Sequence, residues 1–132
     1  MKIIIEKNKN ALSELILNIK NIEKTFMSMY GRYLEDYEKE LVKDVIHNRT
    51  YYIAISAGEK NINGNKFNIE KNSYKIEDYK FIDTRVYSLN DEFVIINLSN
   101  ITNIQDSISS LICSLMHEIL HTTSNRKLQM YV

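Results

Sequence analysis

The sequence predicts an α+β fold: a small, mostly antiparallel sheet with N-terminal helices and a C-terminal helix. Three observations carry this. Apolar residues recur every three or four positions from Leu12 to Ile46, the period of a helix with one buried face. From Tyr51 to Leu98 the pattern becomes short runs rich in aromatic and β-branched residues, separated by Asn, Asp and Gly, as strands and turns require. Helical spacing then returns as one apolar stripe through Ile104, Ile108, Leu111, Ile112, Leu115, Met116, Ile119 and Leu120.

Residues 2–6 read as a short strand, and Asn8-Lys9-Asn10 as a turn whose last residue can cap a helix. Leu15, Ile16, Ile19, Ile22, Phe26, Met29 and Tyr30 place a first helix over 11–30. Gly31 interrupts it. Tyr33, Leu34, Tyr37, Leu41, Val45 and Ile46 resume the period, with Glu and Lys on the opposite face, as a second helix or a bent continuation. Tyr51-Tyr52-Ile53-Ala54-Ile55 is a strand, and residues 61–65 make a hairpin turn before a strand over 67–70. Residues 79–87 are expected to pair antiparallel with 93–98 across Leu89-Asn90-Asp91-Glu92. Asn103, with Asp106 three residues later, can cap the last helix.

With 132 residues and no internal repeat or linker, the chain is expected to form one domain over 1–132. No apolar run approaches the length of a membrane helix. Seventeen basic and seventeen acidic residues balance, so no basic field for phosphate and no acidic imitation of nucleic acid is expected. The partner is therefore expected to be a protein target or a peptide, not nucleic acid or membrane. Ile3-Ile4-Ile5 is too short for the apolar centre of a signal peptide, and a single cysteine, Cys113, cannot form an internal disulfide. Both point to the cytoplasm. Heavy use of Lys, Asn and Ile without proline or tryptophan suggests AT-rich coding, as in low-GC bacteria and their phages.

The chemistry-bearing segment is His117-Glu118-Ile119-Leu120-His121. Two histidines one helical turn apart aim both imidazoles at one point, which suits two ligands of a single Zn2+ ion. A glutamate beside the first is the residue type that serves as general base for metal-bound water. The periodicity puts His117 and His121 off the buried face, with Ser110 and Ser114 beside them. The C-terminal helix is thus expected to bind metal. The plainer reading is two polar residues on a solvated helix face.

Tetrahedral zinc calls for at least one more protein ligand. The eleven residues after the motif contain no His, Asp, Glu or Cys. His47, Asp83, Asp91 and Glu92 remain as candidates, unranked, from the end of a helix or from strand and turn positions. For His47 the competing reading is an interaction at the end of the second helix, and for the acidic residues it is simple solvation. Cys113 lies one turn before His117 and reads as a small buried hydrophobe.

On this motif, and on the order of elements before it, the chain resembles the N-terminal half of a zincin metallopeptidase domain, in which a backing helix and a twisted sheet precede the motif helix. The resemblance implies that His117 and His121 are zinc ligands and Glu118 the base. In one zincin group the third ligand is a glutamate on a later helix. In another, a glycine and a third histidine follow the second histidine by three and six residues, and here those positions are Ser124 and Lys127. The family's third ligand therefore has no counterpart at its usual place.

Two functions follow from this reading. In the first, the chain is a zinc-binding protein on a peptidase-like scaffold, a phage or mobile-element inhibitor that binds a bacterial protein such as a CRISPR nuclease (an anti-CRISPR type of inhibitor) without catalysis. The alternative is a minimal zinc metallopeptidase with Glu118 as general base. A homodimer that completes the coordination sphere is a further expectation.

Overall fold

The computed structural model describes the backbone of residues 1–71, 74–77 and 80–122, and the side chains of 1–71 and 84–121. Strand β1 (Lys2–Ile5) is followed by a 3-10 turn and helices α1 (Ser13–Lys20), α2 (Ile22–Tyr30) and α3 (Asp36–His47). Strands β2 (Thr50–Ala54), β3 (Gly58–Ile62), β4 (Asn65–Ile69), β5 (Tyr74–Glu77), β6 (Lys80–Asp83), β7 (Val86–Ser88) and β8 (Phe93–Asn97) come next, and α4 (Ile104–Thr122) ends the described chain.

The core sheet has the order β1-β2-β8-β7, in which β1, β2 and β8 are parallel and β7 is the antiparallel edge. The expectation of a mostly antiparallel sheet is thereby corrected for the core. It holds for the hairpins β3–β4 and β5–β6 and for β7 against β8, which local turns specify. Parallel strands need long crossovers instead: three helices join β1 to β2, and the residues holding both hairpins and β7 join β2 to β8.

Both faces of this sheet are covered, which explains why β2 and β8 read as continuous apolar runs. Tyr51, Ile53, Val94 and Ile96 face the helices, whereas Tyr52, Ala54, Phe93 and Ile95 pack with Ile62, Phe67 and Ile69 of the β3–β4 hairpin. Cross-strand register brings Tyr51 opposite Val94 and Ile53 opposite Ile96, so like-facing side chains stack across the ladder. Each such fully buried side chain contributes about 1.5–3 kcal/mol of transfer free energy.

The local signals mostly stand where the sequence put them. Asn63 and Gly64 have φ of 51° and 86°, the two-residue geometry that Asn-Gly favours between hairpin strands. The first helix differs from the expected 11–30: it divides at Asn21 into α1 and α2. The break lets Leu15 and Ile19 before it, and Ile22 and Phe26 after it, all reach the core. At the start of α3, the Glu35 N–H donates to Glu38 Oε1 at 2.9 Å, within a capping box formed by Glu35 and Glu38. At the start of α4, the Asp106 N–H donates to the Asn103 side-chain oxygen at 3.2 Å.

Helix α4 closes the helical side of the sheet. Ile108, Leu111, Ile112, Leu115, Met116, Ile119 and Leu120 are buried, and the helix contacts α1, α2, α3 and β7. Among the described residues no helix is long and apolar enough to cross a membrane.

Candidate metal centre

Because α4 buries the stripe through Ile108, Leu115 and Ile119, its opposite face is left to solvent. Ser110, Cys113, His117 and His121 are exposed there, while Ser114 and Glu118 are half-buried at its border. Cys113, expected as a small buried hydrophobe, is thus corrected to a surface thiol. The reason is geometric: four residues before His117, it shares the histidines' stripe rather than the core stripe.

His117 and His121 are drawn together. Their Nε2 atoms lie 2.6 Å apart, with ring centroids 4.3 Å apart and the planes at 77°. At that separation one nitrogen donates and the other accepts, so at least one ring is neutral. Partial burial, and then the neighbouring His121, hold the His117 imidazole below its ordinary value against the opposing pull of Glu118. The His117 ring is thereby biased towards the neutral form in which an imidazole nitrogen can act as a ligand.

The donor set fits half of a zinc site. Two Zn–N bonds of about 2.0–2.1 Å at a tetrahedral angle require nitrogens about 3.3 Å apart, a distance that small side-chain rotations reach from the observed one.

Glu118 is directed towards the sheet. Ser88 Oγ, at the end of the edge strand, donates to Glu118 Oε2 at 3.3 Å. Both residues line a narrow cavity with Val45, Arg49, Tyr51, Val94 and Ile119. Its volume of about 10 Å³ is at the lower limit for one water molecule. Arg49 is 9% exposed, and its guanidinium donates to the Asn90 carbonyl at 2.9 Å. Asn90 in turn accepts from the N–H groups of Glu92 and Phe93 at 2.7 and 3.0 Å, which fixes the turn between β7 and β8. Neither Ser88 nor Arg49 was marked by the sequence. Each meets its partner across some 30–40 positions, and no local pattern signals such contacts.

Of the third-ligand candidates, His47, Asp91 and Glu92 are not gathered around the imidazoles. Among the described residues, no group of three or more His, Cys, Asp or Glu side chains is placed to share an ion. The His47 ring contacts Glu23 Oε1 on α2 at 2.5 Å, and its backbone carbonyl accepts from the chain's terminal amine. Its side chain thus links α3 to α2 at the surface. Asp91 and Glu92 are exposed in the β7–β8 turn. The Asp83 side chain, and Ser124 and Lys127, lie outside the described residues.

No family model matches this chain, and no match is found among curated proteins or solved structures.

Proposed function

We propose that this chain is a zinc-binding protein on a zincin-like scaffold, with His117 and His121 as two of the ligands of Zn2+, and that it acts by binding a bacterial protein rather than by catalysis. The convergence of the two Nε2 atoms on the solvent side of α4 is the observation that carries this reading. The order of elements is in keeping with it, since helices and a sheet precede the motif helix, as the resemblance implies. Zinc in such a role fixes the shape of a surface. The balanced charge favours a protein partner over nucleic acid, and small size with AT-rich coding supports an inhibitor carried by a phage or mobile element, with a CRISPR nuclease as one candidate target.

A second reading, a minimal metallopeptidase, is favoured by Glu118. It stands beside His117, and Ser88 holds its carboxylate at the edge strand of the sheet, where an extended peptide can add as a further strand. Bound zinc would supply Lewis-acid activation of water and of a carbonyl. The chain's own contribution would be Glu118 as proton acceptor and β7 as the orienting edge.

Metal analysis of protein purified without added zinc, with melting followed with and without a chelator, tests the common premise. The absence of metal, together with an unchanged melting temperature, overturns both readings. Incubation of the zinc-loaded protein with an unfolded protein substrate then separates them. No cleavage is expected; cleavage that Glu118→Gln abolishes would establish the peptidase instead.

A further inference from the structure

From the same two imidazoles we infer that the zinc site is completed by a second copy of this chain, as a four-histidine centre across a two-fold axis. The inference rests on the metal-binding reading above and goes beyond it by naming the missing ligands. Zinc in a closed structural site takes four protein ligands, and among the described residues one chain brings two together. Among the described residues no third His, Cys, Asp or Glu joins them.

The imidazole nitrogens are also reachable from outside. His117 and His121 are both exposed, and Glu118, the nearest carboxylate in sequence, is engaged towards β7 on the side facing the sheet. Small side chains, Ser110, Cys113 and Ser114, occupy the preceding turns of that face, so among the described residues these turns present no bulky side chain to an approaching second helix. A chain of zero net charge imposes no long-range repulsion between copies.

A two-fold axis through the ion makes the contact self-complementary, the commonest symmetry of soluble oligomers. The tetrahedron constrains how the copies meet. Each chain's histidine pair forms one edge, running roughly along its helix because the residues are one turn apart, and opposite edges of a tetrahedron are perpendicular. The two α4 helices therefore cross steeply, and the contact is held by metal more than by buried apolar area. Such a site has no open coordination position, which accords with a binding role and not with catalysis.

The test is solution mass and zinc content of the full chain, measured by light scattering and metal analysis with one equivalent of zinc and again in excess chelator. The expected result is a doubled mass with one zinc for every two chains, reverting to the single-chain mass in chelator. His121→Ala is expected to remain at the single-chain mass at every zinc concentration with an unchanged circular dichroism spectrum, and Cys113→Ser to dimerise as the parent does. One zinc per single chain overturns the shared centre while leaving the metal-binding reading in place, and no bound zinc removes both. Dimerisation that survives chelation or His121→Ala, or that is lost in Cys113→Ser, overturns the four-histidine assignment. Should His121→Ala alter the fold, His117→Gln provides the same comparison with a polar side chain retained.

Discussion

Ser88 Oγ on β7 donates to Glu118 Oε2 on α4 at 3.3 Å, a polar tie between the edge strand and the motif helix. The carboxylate is half-buried, so loss of its donor leaves charge less well solvated. Ser88→Ala is expected to cost about 1 kcal/mol, read as a lower denaturant midpoint at unchanged slope. On the zinc-binding reading the metal content should not change, because the hydroxyl bonds to Glu118 and not to the imidazoles. Loss of bound zinc in this variant would mean that the position of Glu118 matters to the metal site.

His121→Ala separates metal binding from folding. The side chain is exposed, and among the described residues its contacts are with His117. Without metal the variant's stability should therefore lie within about 0.5 kcal/mol of the parent's. On the proposed zinc-binding reading, zinc favours the folded chain and raises the parent's melting temperature, in step with the logarithm of its concentration. That rise should vanish in the variant, and calorimetry with and without zinc checks both halves of the expectation.

What the sequence made legible was local. The Asn63-Gly64 turn, the Asn103 cap of α4 and the apolar stripe of that helix each follow from a few neighbouring residues. The meeting of His117 with His121 follows because they are one turn apart on one helix. The parallel pairing of β1 with β2 and of β2 with β8 could not be read, because it depends on which of several apolar strands meet after long crossovers. The same limit hid Ser88 beside Glu118 and Arg49 under the Asn90 carbonyl. Cys113 is a different failure: its exposure was implied by its spacing from His117, but the general habit of free cysteines outweighed the helical geometry.

Glu6 sets an acid limit to stability. Burial works to raise its carboxyl, but Lys60, the Ser56 hydroxyl and the N–H groups of Ser56 and Ile55 outweigh it and hold the group at about 2 against an ordinary 4.5. Lys60 Nζ lies 2.5 Å from Glu6 Oε1, joining β3 to the end of β1. A depressed carboxyl contributes stability that is present above its unfolded value and lost as pH falls through the folded one. The loss attributable to Glu6 should therefore fall between about pH 4.5 and 2. In Glu6→Gln that limb should flatten, with stability at neutral pH reduced by about 1–3 kcal/mol. Chemical denaturation at several pH values checks it; parallel curves for parent and variant would show that the network contributes nothing.

Tyr51 sets the corresponding alkaline limit. Its hydroxyl donates to the Ile46 carbonyl at 2.8 Å inside the core, satisfying one of the last carbonyls of α3, which have no partner within the helix. The contact joins the end of α3 to β2 beneath the motif helix. Burial pushes the phenol up to about 12, with Arg49 pulling the other way. A raised phenol contributes stability that is complete below its unfolded value near 10 and lost as pH rises through the folded one. Tyr51→Phe keeps the ring and removes the hydroxyl, so it should cost about 1–2 kcal/mol at neutral pH by orphaning the carbonyl. Burial also raises Tyr52 and Tyr87, so parent and variant should both weaken above pH 10. Only the difference between them belongs to Tyr51, and it should shrink between about pH 10 and 12 as the parent loses what the variant already lacks. A difference that stays constant across that range would place the effect of the substitution in packing and not in the hydrogen bond to Ile46.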